Sequence, residues 1–74
     1  MTLLNLEKNE KAEIVKINAD KALKDRLNSF GVMRREILTV KGYSLGKQTI
    51  EIEVGSTLIA LRSDEAEKIE ILKI

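Results

Sequence analysis

The feature that most constrains the fold is a short helical pattern that stops at a glycine and is followed only by short strand patterns. Five apolar residues recur at three- and four-residue spacing and form one stripe of a helix predicted over 19–30: Ala19, Ala22, Leu23, Leu27 and Phe30. The side chain of Asn18 or of Asp20 is placed to cap its first turn, because either accepts a hydrogen bond from a free backbone N–H group. Gly31 stands where a left-handed residue ends a helix, and Val32 is placed to close the hydrophobic contact beyond it.

Short strands are predicted on both sides of this helix. Before it, residues 12–17 form a strand pattern in which Ala12 and Ile14 share one face and Ile17 falls out of step, which predicts a β-bulge. After it, the pattern predicts four strands and one helical turn that Ser63 caps. The strands cover 36–42, 48–54, 57–62 and 69–74, and the helical turn covers 64–67.

The strand patterns favour a mainly β fold. Alternation is clearest over 48–54, where Ile50 and Ile52 point to one face and Glu51 to the other. In the last strand the adjacent Ile71 and Leu72 break the alternation, which indicates burial on both faces or a place at a barrel seam. We therefore predict one domain over 1–74, built as a small half-closed β-barrel with one inserted helix.

Composition excludes several classes of function. Thirteen basic and twelve acidic residues nearly cancel, whereas dedicated nucleic-acid-binding proteins usually carry a basic stripe. Phe30 and Tyr43 are the only aromatic residues, too few for a platform on which bases stack. Neither a signal peptide nor a membrane span is predicted, because no apolar run approaches the roughly 20 residues that a span needs.

Catalysis and metal binding find little support in the sequence. Histidine and cysteine are absent, which removes the usual ligands of transition metals and the usual bases and nucleophiles. The carboxylate pairs Glu51/Glu53 and Glu65/Glu67 fit a solvated surface better than a metal site. We expect no metal site, no cofactor and no enzymatic activity.

The chain resembles the FeoA family, the small proteins that accompany the ferrous iron permease FeoB. The resemblance covers nearly the whole chain and depends on the order of several short motifs. These are Leu4-x-Leu6, Ala12-x-Ile14, Arg26-Leu27-x-x-Phe30-Gly31-Val32, Leu45-Gly46, Val54-Gly55, and Ala60-Leu61-Arg62 followed by an acidic turn and Ile69. It implies an SH3-like barrel with an inserted helix, a cytoplasmic location and docking onto the GTPase region of the permease.

The sequence departs from the family pattern mainly in its loops. Arg34-Arg35 follows the helix where many relatives have Pro-Gly, and Gly46-Lys47-Gln48 stands where they have Gly-Asp-Pro. Lys11 replaces a common glycine, and the first hairpin is one residue shorter. These changes preserve the predicted core and alter the surface that a partner would meet.

A docking surface is the candidate site. A small barrel has limited area to cover the apolar residues at the helix end, and surplus apolar surface favours partner binding. Seven candidate contact residues follow from this argument and from the resemblance: Leu27, Phe30, Val32, Met33, Arg34, Arg35 and Arg62. For Leu27 and Phe30 the alternative is a place in the core, for Arg34 and Arg35 it is plain solvation, and for Arg62 it is an ion pair with Asp64 or Glu65.

Two hypotheses of function remain open at this point. In the first, the chain is an adaptor in ferrous iron uptake that docks onto the FeoB-type permease. In the second, it is a free-standing relative of the SH3-like domains found at the C-termini of metal-dependent repressors, although Tyr43 alone is a poor start for a peptide groove. Neither involves nucleic acid or membrane insertion, and exposed edge strands leave weak self-association open.

Overall fold

Five antiparallel strands form one sheet in the computed structural model, which describes residues 1–74. In chain order the elements are β1 (Lys11–Ile17), α1 (Lys21–Ser29), β2 (Ile37–Tyr43), β3 (Thr49–Val54), β4 (Thr57–Arg62), α2 (Ser63–Ala66) and β5 (Ile69–Lys73). The sheet order is β4-β3-β2-β1-β5, so β4 and β5 are the edge strands. This architecture confirms the predicted mainly β fold with one inserted helix.

The core is wholly aliphatic, and no polar or charged residue is buried in it. Alternate residues of the central strands point inward as predicted, among them Leu38 and Val40 of β2 and Ile50 and Ile52 of β3. The register of β1 against β5 shifts between Ile14 and Lys16, which confirms the predicted bulge. As a result both Val15 and Lys16 are exposed in succession.

Capping interactions at both ends fix α1 in place. The Asp20 carboxylate accepts a hydrogen bond of 2.9 Å from the Leu23 N–H group. At the other end the N–H groups of Gly31 and Val32 donate to the carbonyls of Asn28 and Leu27, each at 3.0 Å. Gly31 has a φ of +90°, the left-handed conformation that this C-terminal motif requires.

The predicted apolar stripe of the helix is only partly buried. Leu27 has no exposed surface and Leu23 packs against the core, whereas Ala22 and Phe30 are exposed. Phe30 leaves the stripe because it is the C-cap residue, where the backbone (φ −93°, ψ 0°) departs from the helical path. The helix therefore covers the barrel with the middle of its stripe.

The N-terminal segment closes one part of the core. Leu3 and Leu6 are buried, and the Tyr43 hydroxyl donates its hydrogen bond to the Leu6 carbonyl at 2.5 Å, with the Leu4 carbonyl farther away at 3.4 Å. Burial raises the pKa of Tyr43, and the nearby carboxylates of the segment add to the shift. Tyr43 thus ties the N-terminus to β2.

One expectation about the C-terminal part is wrong, and so is one of the two alternatives for the last strand. Ser63 is the first residue of α2 and makes no side-chain cap, because Arg62 occupies the N-cap position and its N–H group donates to the Glu65 carboxylate at 3.0 Å. The last strand is not buried on both faces: Ile71 points inward, but the neighbouring Leu72 is 61% exposed. The position of β5 at an edge of the sheet agrees with the other alternative, a place at a barrel seam.

Candidate docking surface

Two surface grooves flank α1. The first, which we call the cationic groove, lies between α1 and β1 and encloses about 610 Å³. Its lining residues are Val15, Lys16, Ile17, Lys24, Asn28, Met33 and Arg34. The second, which we call the edge groove, lies between α1 and β4 and encloses about 460 Å³. Its lining residues are Arg26, Phe30, Thr57, Leu58, Ile59 and Ala60.

Three local features of the chain build the cationic groove. The bulge in β1 exposes Val15 and Lys16. On α1, Lys24 and Asn28 are four residues apart and therefore share one face of the helix. The loop after α1 is fastened to β1 by a 2.7 Å hydrogen bond from the Arg35 N–H group to the Ile14 carbonyl, and this holds residues 33–34 beside the strand.

The cationic groove carries charges of one sign only. No carboxylate lines it, and the side chains of Lys16, Lys24 and Arg34 take part in none of the three ion pairs of the structure. Two apolar side chains of the same lining are also accessible, Val15 at 44% and Met33 at 42% exposure. The groove thus combines positive charge with accessible apolar surface.

The edge groove runs beside a bare strand edge. The two-residue turn 55–56 pairs Thr57 with Val54, so in the regular ladder that follows the backbone groups of Leu58 and Ala60 point away from β3. Phe30 at 44% and Leu58 at 58% exposure provide its apolar surface. The other edge, on β5, is partly covered, because the Ile71 N–H group donates to the Met1 carbonyl at 3.0 Å.

The arginine at the edge groove is already engaged. The Arg26 guanidinium lies 2.8 Å from the Glu65 carboxylate and so links α1 to α2. The neighbouring Asp25 does not take part in this link, because it pairs with Lys21 at 2.7 Å. Glu65 also accepts the Arg62 backbone N–H, so the expected side-chain ion pair of Arg62 is absent.

The candidate contact residues separate into four environments. Leu27 and Val32 have no exposed surface, because they form the buried contact that closes α1, and their assignment to a docking surface is wrong. Met33 and Arg34 line the cationic groove and Phe30 lines the edge groove. The two remaining residues, Arg35 and Arg62, are exposed but line neither groove.

Sequence reasoning missed several groove residues. Val15 and Lys16 were not considered, although the break in alternation before Ile17 indicates that the strand turns neighbouring residues outward there. The four-residue spacing of Lys24 and Asn28 was a second available signal. No sequence signal links these positions to residues 33–34, because a tertiary hydrogen bond brings them together.

The structure shows no group of three or more acidic, histidine or cysteine residues arranged to hold a metal ion. Neither helix has the length and hydrophobicity to cross a bilayer.

Comparison with known proteins shows the family to which the whole chain is related. Residues 1–73 match the FeoA domain family model. A protein of Campylobacter jejuni named as an Fe(2+) transport protein A is 45% identical over 71 residues, covering 96% of each chain. A protein of Helicobacter pylori strain 26695 with the same name is 39% identical over 72 residues, covering 96% of this chain and 95% of its own.

Solved structures agree with this relationship. The FeoA protein from Chlorobium tepidum superimposes with a TM-score of 0.95 at 28% identity, over 100% of this chain and 70% of its own. A manganese-dependent transcriptional repressor superimposes with a TM-score of 0.90 at 19% identity, over 99% of this chain and 40% of the repressor, which shows a shared fold alone. Since the family model and the relatives cover almost the entire sequence, this chain belongs to the FeoA family.

Proposed function

We propose that the chain is an accessory protein of ferrous iron uptake that acts by docking onto the cytoplasmic GTPase region of an FeoB-type permease. The observation that carries the proposal is the pair of apolar side chains, Phe30 and Met33, that remain about half exposed at the end of α1. Family membership supplies the connection with Fe(2+) transport. The proposal places the chain in the cytoplasm, at the inner face of the membrane.

Docking would act on the partner by shifting a conformational equilibrium. A protein that binds one state of a GTPase domain more tightly than another raises the population of that state. The size of the effect is limited by the difference between the two affinities. Burial of Phe30 and Met33 would supply part of the binding free energy, since aromatic residues and methionine are enriched at interfaces.

The proposal is tested by measuring the affinity of the purified chain for the purified cytoplasmic region of the permease, together with ferrous uptake in cells. We expect the double variant Phe30→Ser/Met33→Ser to bind at least tenfold more weakly than the wild type and to restore less uptake to a deletion strain. Leu72→Ser is the control, because Leu72 is also an exposed apolar residue, at 61%, but lies on the β5 edge strand. Normal ferrous uptake in the deletion strain, or no association of the wild-type chain, would overturn the proposal.

A further inference from the structure

We infer that the cationic groove receives an acidic segment of the partner protein, with one apolar side chain of that segment placed against Val15 and Met33. The inference rests on the proposed function and goes beyond it, since it selects one of the two grooves and states the chemistry of what enters.

Charge complementarity identifies an acidic partner. Lys16, Lys24 and Arg34 line one groove without a carboxylate among its lining residues, although the chain as a whole has a net charge of only +1. The lining of this groove therefore holds more excess positive charge than the whole chain does. Complementary charge at such a site accelerates encounter and disfavours basic partners, and exposed charges of this kind are screened by salt.

The apolar lining of the groove points to an apolar anchor within the acidic segment. Val15 and Met33 expose nearly half of their surface in the same groove as the cations, and Asn28 adds an amide that both donates and accepts hydrogen bonds. Methionine adapts its shape to an incoming side chain. A purely acidic ligand would leave this apolar surface in water, so a segment with carboxylates on both sides of one aliphatic or aromatic residue fits better.

The edge groove lacks this combination. Its only charged lining residue, Arg26, is paired with Glu65, so a second acid would have to compete with an existing ion pair. What the edge groove offers is the free backbone edge of β4, which suits an added strand of any charge. The two grooves therefore predict different responses to charge reversal and to salt.

The closing experiment measures binding of the full chain to the purified cytoplasmic region of the permease at about 50 and 300 mM salt. We expect Lys24→Glu/Arg34→Glu to weaken binding at least tenfold, and the wild-type affinity to fall as salt rises. The matched control is Lys8→Glu/Lys68→Glu, which changes the net charge equally with exposed lysines outside both grooves. If the reversed variant is less stable than the wild type, Lys24→Gln/Arg34→Gln replaces it with the same expected direction.

The binding results of the groove variant and its control decide whether the cationic groove receives the partner. Loss of binding in the groove variant but not in the control supports the inference. Equal binding by the groove variant and the wild type overturns it and leaves docking intact, as does loss only in an edge-groove variant such as Leu58→Ser. Equal losses in the groove variant and the control show that net charge, not the groove, governs binding. If the wild-type chain does not bind the permease at all, the proposed function itself fails.

Discussion

Gly31 is the residue whose backbone conformation α1 depends on most. Its φ of +90° is strained for any residue with a Cβ atom, although there is room for one, since the nearest heavy atom would be Val54 Cγ1 at 4.0 Å. We expect Gly31→Ala to lower the free energy of unfolding by about 1–2 kcal/mol, the cost of left-handed backbone. Urea denaturation measures it. Gly42→Ala is the control, because Gly42 has open space and no positive φ, and a similar loss there would contradict the explanation.

Leu27 provides a second test at the scale of a residue, because it was a candidate docking residue and the structure buries it in the core. The side chain is wholly buried, so Leu27→Ala should cost about 2–5 kcal/mol of unfolding free energy. The same truncation at the exposed Leu58 should cost less than about 0.5 kcal/mol. A Leu27→Ala variant with wild-type stability and lost partner binding would return Leu27 to the docking surface.

Tyr43 gives the molecule an alkaline pH dependence. Its pKa is raised above 10.0 in the folded state, mainly by burial, so the folded state holds this proton more tightly than the unfolded chain does. The protonated Tyr43 side chain therefore makes its full contribution to the free energy of unfolding below about pH 10. That contribution is lost as the pH rises through the folded-state pKa. We expect Tyr43→Phe to cost about 0.5–1.5 kcal/mol at pH 7, through the lost hydrogen bond to the Leu6 carbonyl, and less above pH 10. Urea denaturation of both proteins at pH 7 and above pH 10 measures this loss of stability. A loss that is the same at both pH values would contradict the prediction.

At the scale of elements, local patterns determine most of what the sequence predicts. The alternation of Ile50, Ile52 and Val54 with glutamates indicates a strand with one buried face, and the structure has that strand. Asp20 and Gly31 mark the ends of α1 because caps act within one turn of the backbone. These interactions join residues that are close in the chain, so a local sequence pattern is enough to predict them.

The grooves depend on contacts between elements, which explains why sequence reasoning found only parts of them. Met33 and Arg34 were identified, but their neighbours Lys16 and Lys24 belong to other elements and meet them only after folding. The sequence pattern placed Phe30 on the apolar stripe of the helix, whereas the backbone geometry at this C-cap residue turns Phe30 away from the stripe. Hydrophobic periodicity assumes regular helical geometry, so it does not predict the direction of a side chain at the residue where the helix ends.

The link between α1 and α2 predicts a measurable coupling. Arg26 is half exposed, whereas the Glu65 side chain is 15% exposed and also accepts the Arg62 N–H. In a double-mutant cycle of Arg26→Gln and Glu65→Gln we expect a coupling of about 0.2–1 kcal/mol, as for partly exposed ion pairs. Glu65→Gln alone should cost more than Arg26→Gln alone, because it also weakens the N-terminal hydrogen bond of α2. Equal single effects would contradict this double role.

At the scale of the whole molecule, the question is whether this chain binds ferrous ion directly. Histidine and cysteine are absent, and the structure has no cluster of three or more potential ligands. A ferrous ion bound to the folded state at a hundred times its Kd would add about 2.7 kcal/mol of stability. For a domain of this size that corresponds to a rise in Tm of roughly 10–20 °C.

We expect anaerobic ferrous ion at millimolar concentration to leave the Tm within about 2 °C of its value in the same concentration of magnesium, well below the rise expected for an occupied site. Magnesium is the matched control, because it reproduces the screening of surface carboxylates by a divalent cation. A saturable rise with ferrous ion alone would mean that the carboxylates form a site in solution, and iron would then act on this chain itself. An unchanged Tm is the result expected if the chain acts by the proposed docking, which the charge-reversal experiment on the cationic groove tests directly.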